Sequence, residues 1–199
     1  MAPRYGSDRE SCGPAVFLDA CVLYPDLVRG IVLRMAGAGL FHPAWAPRVL
    51  AEWRIAAARN GGLSTESTVD AAAARMAATF PGAGVTPDPA VERALDLPDP
   101  ADTHVLAGAI AAGAGVLLTF NLRDFPARRL AAHAIAPRHP DGFLWEVFSK
   151  EPQIAGQAIR ETAAGAGRTD PDAIRRALKR AGLSRLAKAW FAWESGAGA

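Results

Sequence analysis

The chain of 199 residues is poor in several things, and each shortage removes a class of function. Its two cysteines, Cys12 and Cys21, are too few for a disulfide framework and wrongly spaced for a zinc site. Its four histidines (His42, His104, His133, His139) show neither HExxH nor paired-ligand spacing. Lysine occurs only at Lys150, Lys179 and Lys188, so a receiver domain, which needs a lysine after a later strand of its body, is excluded. There is no GxxxxGK[ST] and no GxGxxG, so nucleotide-cradling loops are missing. No run approaches the roughly 18 to 20 apolar residues of a membrane span. The start, Met1 to Glu10, is polar and lacks the apolar stretch of a secretory signal, and a cytoplasmic protein without membrane association is expected.

What is present suits a globular domain. Half the residues are hydrophobic and 21% are charged, enough apolar material for a core. The length fits one domain of ordinary size with a small appendage. Net charge is only +2, unevenly spread. From Lys150 onward nine basic and five acidic residues give +4, and the first 149 residues carry −2. A mildly acidic body with a basic tail points toward polyanionic partners.

Ala15 to Asp19 reads as a buried strand with the acid at its carboxyl edge. Asp26 is expected to cap a helix carrying the stripe Leu27, Val28, Ile31, Val32 and Met35. Pro47 suits the first turn of a helix through Arg59 that carries Glu52. Ser64 or Thr65 should start an alanine-rich helix through Met76 to Thr79. Gly84 to Thr86 is expected as a short strand, followed by a turn of helix near Val91 to Leu95. Asp99 then caps a helix opened by Pro100 and continued through Ile110. Gly115 to Thr119 is the second clear strand and Ala134 to Ala136 a third. Pro140 opens a helix through Phe148. Helices alternating with short apolar strands predict an α/β sandwich around a mostly parallel sheet. Beyond residue 150 the pattern is purely helical. The expected organisation is a loose leader over 1–14, an α/β domain over 15–149 and a small helical C-terminal module over 150–199.

Four acids fall where strands end or helices begin: Asp19, Glu52, Asp102 and Asp124. Carboxyl edges of neighbouring parallel strands gather their loops into one crevice. Carboxylates crowded together there resist ionisation unless a cation neutralises them. Oxygen-only ligation suits Mg²⁺ or Mn²⁺, and such an ion can activate water against a phosphodiester. Each acid alone has a structural explanation, as a strand-end cap, a solvated helix residue or a charge on a helix dipole. A haloacid-dehalogenase-type phosphatase also begins with a strand-end acid, but it needs a second Asp where this chain has Cys21.

The surrounding segments tip the balance. Phe17-Leu-Asp-Ala-Cys-Val-Leu-Tyr-Pro25 resembles the opening strand and loop of PIN-domain nucleases. Leu97-Pro-Asp-Pro-Ala-Asp-Thr-His-Val-Leu-Ala-Gly-Ala109 resembles their central helix start, and Leu118-Thr-Phe-Asn-Leu-Arg-Asp-Phe-Pro126 their T-x-N-x-x-D-F segment. Order and spacing fit, with Glu52 at the intermediate place. The nearest subgroup is the VapC-like proteins with a helical C-terminal extension. The resemblance implies a three-layer α/β/α sandwich and a metal-dependent endoribonuclease, often the toxin of a type II toxin–antitoxin pair. It further implies that Asp19, Glu52, Asp102 and Asp124 bind Mg²⁺ or Mn²⁺, with Asp99 as a further acid. Thr119 and Asn121 would orient the ligands or the water. Asn121 stands where many relatives carry another acid, which removes one charge from the site. The competing reading is a catalytically silent PIN fold that binds RNA or a protein.

An acidic site needs help to hold a polyanion. Arg123, Arg128 and Arg129 flank the Asp124 loop, and Arg175, Arg176, Lys179, Arg180, Arg185 and Lys188 can extend the footprint, or simply form a solvated helix face. Trp190, Phe191 and Trp193 are expected to pack rather than stack on bases. An antitoxin is the expected protein partner. Self-association into a homodimer is also expected from the resemblance, with the stripe Leu27 to Met35 as a candidate surface unless it is core.

Overall fold

The computed structural model describes residues 13–60 and 66–196. At its centre lie four short parallel strands, β1 (Ala15–Leu18), β2 (His42–Ala44), β3 (Val116–Leu118) and β4 (Ala136–Arg138), in the order β2-β1-β3-β4. The two inner strands read as unbroken apolar runs because both their faces are covered: Val16, Phe17, Leu18, Leu117 and Leu118 are wholly buried. Each edge strand carries a proline, Pro43 in β2 and Pro137 in β4. A residue without an N–H is tolerated only there, and it discourages further strand addition.

Helices flank the sheet. After β1 the chain makes one helical turn, α1 (Ala20–Leu23), then α2 (Asp26–Gly37) and β2. The return from β2 runs through α3 (Pro47–Asn60), α4 (Glu66–Thr79), α5 (Pro89–Ala94), a 3₁₀ turn (Pro100–Asp102) and α6 (Thr103–Ala111) to β3. A further turn, α7 (Ala127–Leu130), precedes β4, and α8 (Pro140–Lys150) follows it. Helix α6 lies tight on the sheet because Gly108 has no Cβ, which would stand 2.4 Å from the Phe17 ring. The α/β fold expected from the alternation is therefore present, with helices covering a wholly parallel sheet.

Three helices complete the chain: α9 (Pro152–Gly165), α10 (Pro171–Arg180) and α11 (Ser184–Glu194). Trp190 is fully buried and its indole N–H donates to the Gly156 carbonyl at 3.3 Å. Trp193 meets Phe148 edge-on. These aromatics pack, as expected. Helix α11 has no capping side chain of its own. Asp141, from the first turn of α8, supplies one: its carboxylate accepts from the backbone N–H groups of Arg185 at 3.0 Å and Leu186 at 2.9 Å.

Several local expectations are corrected. Asp26 is the first residue of α2 rather than its cap, which is Pro25; its carboxylate pairs with Arg29 instead. Gly84 to Thr86 forms no strand, only a single bridge from Gly84 to Trp45. The last strand begins at Ala136, because Ala134 adopts a left-handed φ of 57° that ends the preceding turn. The stripe Val28, Ile31, Val32 and Met35 is fully buried core, so it offers no surface to a second copy. Ser64, Thr65 and residues 1–12 of the leader, Cys12 among them, lie outside the described residues.

Candidate active site

The strand order places a topological switch between β1 and β3. From β1 the chain proceeds to β2 on one side, and it returns to β3 on the other. Loops leaving the carboxyl ends of β1 and β3 therefore diverge and leave a crevice between them. Asp19 follows β1 and Thr119 follows β3, and both are held in line by the ladder: Asp19 N–H donates to the Leu118 carbonyl at 3.1 Å, and Thr119 N–H to that of Arg138 at 3.0 Å.

Asp19 is buried, with 8% of its surface exposed. Its main chain starts α1, but its side chain makes no cap bond. Instead Oδ2 accepts from the Thr119 hydroxyl at 2.7 Å and from the Cys21 thiol at 3.1 Å. The strand-end-cap explanation of this residue therefore fails. Thr119, itself fully buried, accepts from the Asn121 N–H at 3.0 Å, which curls the loop back on the strand end. Burial and then the neighbouring Asp19 push the Cys21 thiol up to about 12, so it stays a protonated donor. The Phe120 N–H donates to its sulfur at 3.2 Å.

Asp124 lies in the same loop, which the buried Phe125 anchors, and it accepts from the side-chain amide of Asn121. Asp99 caps the 3₁₀ turn by accepting from the Ala101 N–H at 2.8 Å. Asp102 ends that turn and heads α6 with its side chain free of any cap bond. Its carboxyl is pushed from 3.8 up to about 6, first by burial and then by the charges of Asp19, Asp99 and Asp124, while His104 pulls it down. Asp19, Asp99, Asp102 and Asp124 thus share one electrostatic field.

Glu52 is held differently. Its Oε1 lies 2.9 Å from His104 Nε2 and 3.9 Å from Arg48 Nε. The His104 contact is off the line of a good hydrogen bond. His104 is almost fully buried, and its Nδ1 lies 2.7 Å from the Ala101 carbonyl. The imidazole thus links Glu52 on α3 to the turn that carries Asp102. Sequence reasoning passed over this histidine because it looked only for ligand spacing; its place two residues after Asp102 was the available signal. Cys21, too, is partly buried, with its thiol against the acid.

The donors on offer, carboxylate, amide and hydroxyl oxygens around mutually repelling acids, fit a hard divalent cation. Among the described residues no three His, Cys, Asp or Glu side chains close around an ion as they stand. Of the basic candidates, Arg129 is paired with Asp96, whereas Arg123 and Arg128 are exposed beside the loop.

A parallel sheet whose switch point gathers carboxylates from three separate segments defines an α/β protein with an acidic pocket. The family model of the PIN domain matches residues 15–123, and the protein belongs to the PIN-domain family. The match ends one residue before Asp124. PIN domains are in general nucleases that use divalent metals and bind RNA, which makes this chain a nuclease at that level of description. No curated protein and no solved structure matches it. Among the described residues no helix is long and apolar enough to cross a membrane.

Proposed function

We propose that the protein is a Mg²⁺- or Mn²⁺-dependent endoribonuclease of the VapC-like subgroup, acting in the cytoplasm as the toxin of a type II toxin–antitoxin pair. The observation that carries the nuclease reading is the 2.7 Å hydrogen bond from Thr119 to Asp19, which joins two motif segments 100 residues apart at one sheet edge. Asp19, Asp102 and Asp124 would hold the ion, with Asp99 beside them and Glu52 contributing from α3. Bound there, a divalent cation supplies the positive charge that polarises water and neutralises a phosphoryl oxygen. Thr119 and Cys21 fix one oxygen of Asp19 and leave the other for the ion. Asn121 does the same for Asp124. His104 stands between Glu52 and the turn that carries Asp102. Such outer contacts keep ligands in place when the ion is exchanged.

Purified protein with Mg²⁺ or Mn²⁺ and structured RNA provides the test. Internal cleavage is expected, lost with chelator and lost in Asp19→Ala. Cleavage that survives Asp19→Ala overturns the nuclease reading. Overproduction should arrest growth, and co-expression of the product of an adjacent small reading frame should relieve it. Undisturbed growth would remove the toxin assignment and leave the nuclease one standing.

A further inference from the structure

The C-terminal helices touch the loop that carries Asp124 at Gly182. Gly182, in the turn between α10 and α11, adopts φ +77° and lies so close to Phe120 that a Cβ would stand 3.3 Å from its ring. Phe120 sits between Thr119 and Asn121, and His139 at the start of α8 meets the same ring edge-on, centroids 5.0 Å apart. The α10–α11 turn, the head of α8 and the pocket loop therefore converge at one edge of the sheet.

The charge around that turn is unbalanced. Nine arginines among the described residues hold a carboxylate within 4.0 Å, including Arg175 and Arg176 on α10 itself. Lys179, Arg180, Arg185 and Lys188 are all exposed and hold none, although they fall within ten residues. Arg185 is pre-oriented: its guanidinium carbon lies 3.5 Å above the Trp145 ring centroid. Stacking fixes the plane and leaves the edge N–H groups free for the two-pronged recognition of a phosphate. The carboxylate of Asp141 is engaged by two backbone N–H groups of α11, one of them that of Arg185 itself.

We infer that the α10–α11 turn is a strand-guiding arm: Lys179, Arg180 and Arg185 bind backbone phosphates of single-stranded RNA and lead it past Phe120 to the acids. This assignment rests on the nuclease reading above for its substrate. A continuous electropositive track is what an acidic pocket needs, because its own charge repels the strand it acts on.

The experiment is fluorescence anisotropy with a labelled single-stranded RNA of about 20 nucleotides and full-length protein in EDTA across a series of KCl concentrations. Lys179→Glu/Arg180→Glu should weaken binding at least tenfold. It should also flatten the plot of log affinity against log salt by about 1.4, the loss of two phosphate contacts on a single strand. Arg59→Glu/Arg75→Glu, on α3 and α4, makes the same change in net charge and should weaken binding less than threefold. Arg185→Lys keeps the charge, loses the fork, and should weaken binding about threefold at an unchanged melting temperature. Equal effects of the two double variants, or wild-type binding by the first, overturns the assignment. Mn²⁺-dependent cleavage by the wild type, compared with Asp19→Asn, is scored separately. An active enzyme whose tail variants bind normally refutes the arm alone, and weakened binding without any cleavage refutes the nuclease reading alone.

Discussion

Replacing Asp102 by asparagine should make the metal-free protein more stable at neutral pH while destroying its use for a cation. The carboxyl sits at about 6 in the folded chain against an ordinary 3.8, because burial and three acidic neighbours disfavour its charge. A gap of that size corresponds to roughly 3 kcal/mol at 1.36 kcal/mol per pH unit. Asp102 is only partly buried, and solvent screening reduces this to about 1 kcal/mol. The folded chain binds the proton more tightly than the unfolded one. The contribution is therefore complete below pH 3.8 and lost as pH rises through about 6. Urea unfolding followed by tryptophan fluorescence in EDTA, at half-unit steps from pH 4 to 7.5, measures the effect directly. The wild type should lose about 1 kcal/mol over that range relative to Asp102→Asn. Millimolar Mn²⁺ at pH 7.5 should restore stability to the wild type only, since a ligand of the native state stabilises by mass action. Parallel curves for the two proteins, or a less stable asparagine variant at pH 7.5, would refute the shared field inferred for the four acids.

Thr119→Ala removes a buried donor to Asp19 and should cost about 1–3 kcal/mol in urea unfolding, with Thr119→Ser recovering most of it. Cys21, with its thiol pushed up to about 12, should react with iodoacetamide at pH 8 many-fold more slowly in native protein than in urea; equal rates would contradict its burial beside Asp19. Asp141→Ala uncaps α11 and should lower stability by about 1–2 kcal/mol, seen as a lower melting temperature. Gly108→Ala drives a methyl into the Phe17 ring and should cost about 1–3 kcal/mol, which the simultaneous Phe17→Leu change should partly recover.

Strands β1 and β3 were legible because a strand covered on both faces must be apolar throughout, and Ala15 to Leu18 and Val116 to Leu118 are. Strand β2 was not, since His42-Pro43-Ala44 has neither a run nor an alternation; it exists because β1 offers it an edge. The one-turn helices α1 and α7 are too short to show a period. Proline and aspartate punctuation located Pro100 and Pro140 correctly, because a fixed φ and a missing N–H suit only a first turn.

The site divides the same way. That the strand-end acids Asp19 and Asp124 would approach each other was expected from the carboxyl edges of parallel strands, whereas an orienting role for Thr119 came only from the family resemblance. What Glu52 touches did not follow, because His104 intervenes from another helix and no pattern in the chain announces it. The pairing of Arg129 with Asp96 was equally hidden, being a contact between the single turn α7 and the loop after α5. Arg123 and the α10–α11 cations keep their exposure, and with it their candidacy.

Because β1 finds its inner neighbour only in β3, a growing polypeptide exposes Asp19 to solvent long before it possesses Thr119. Loop closure across some hundred residues must come first, a slow event that local helix formation cannot hasten. A polypeptide cut short ahead of β3 therefore lacks both Thr119 and Asp124, and cannot assemble the acidic site at all.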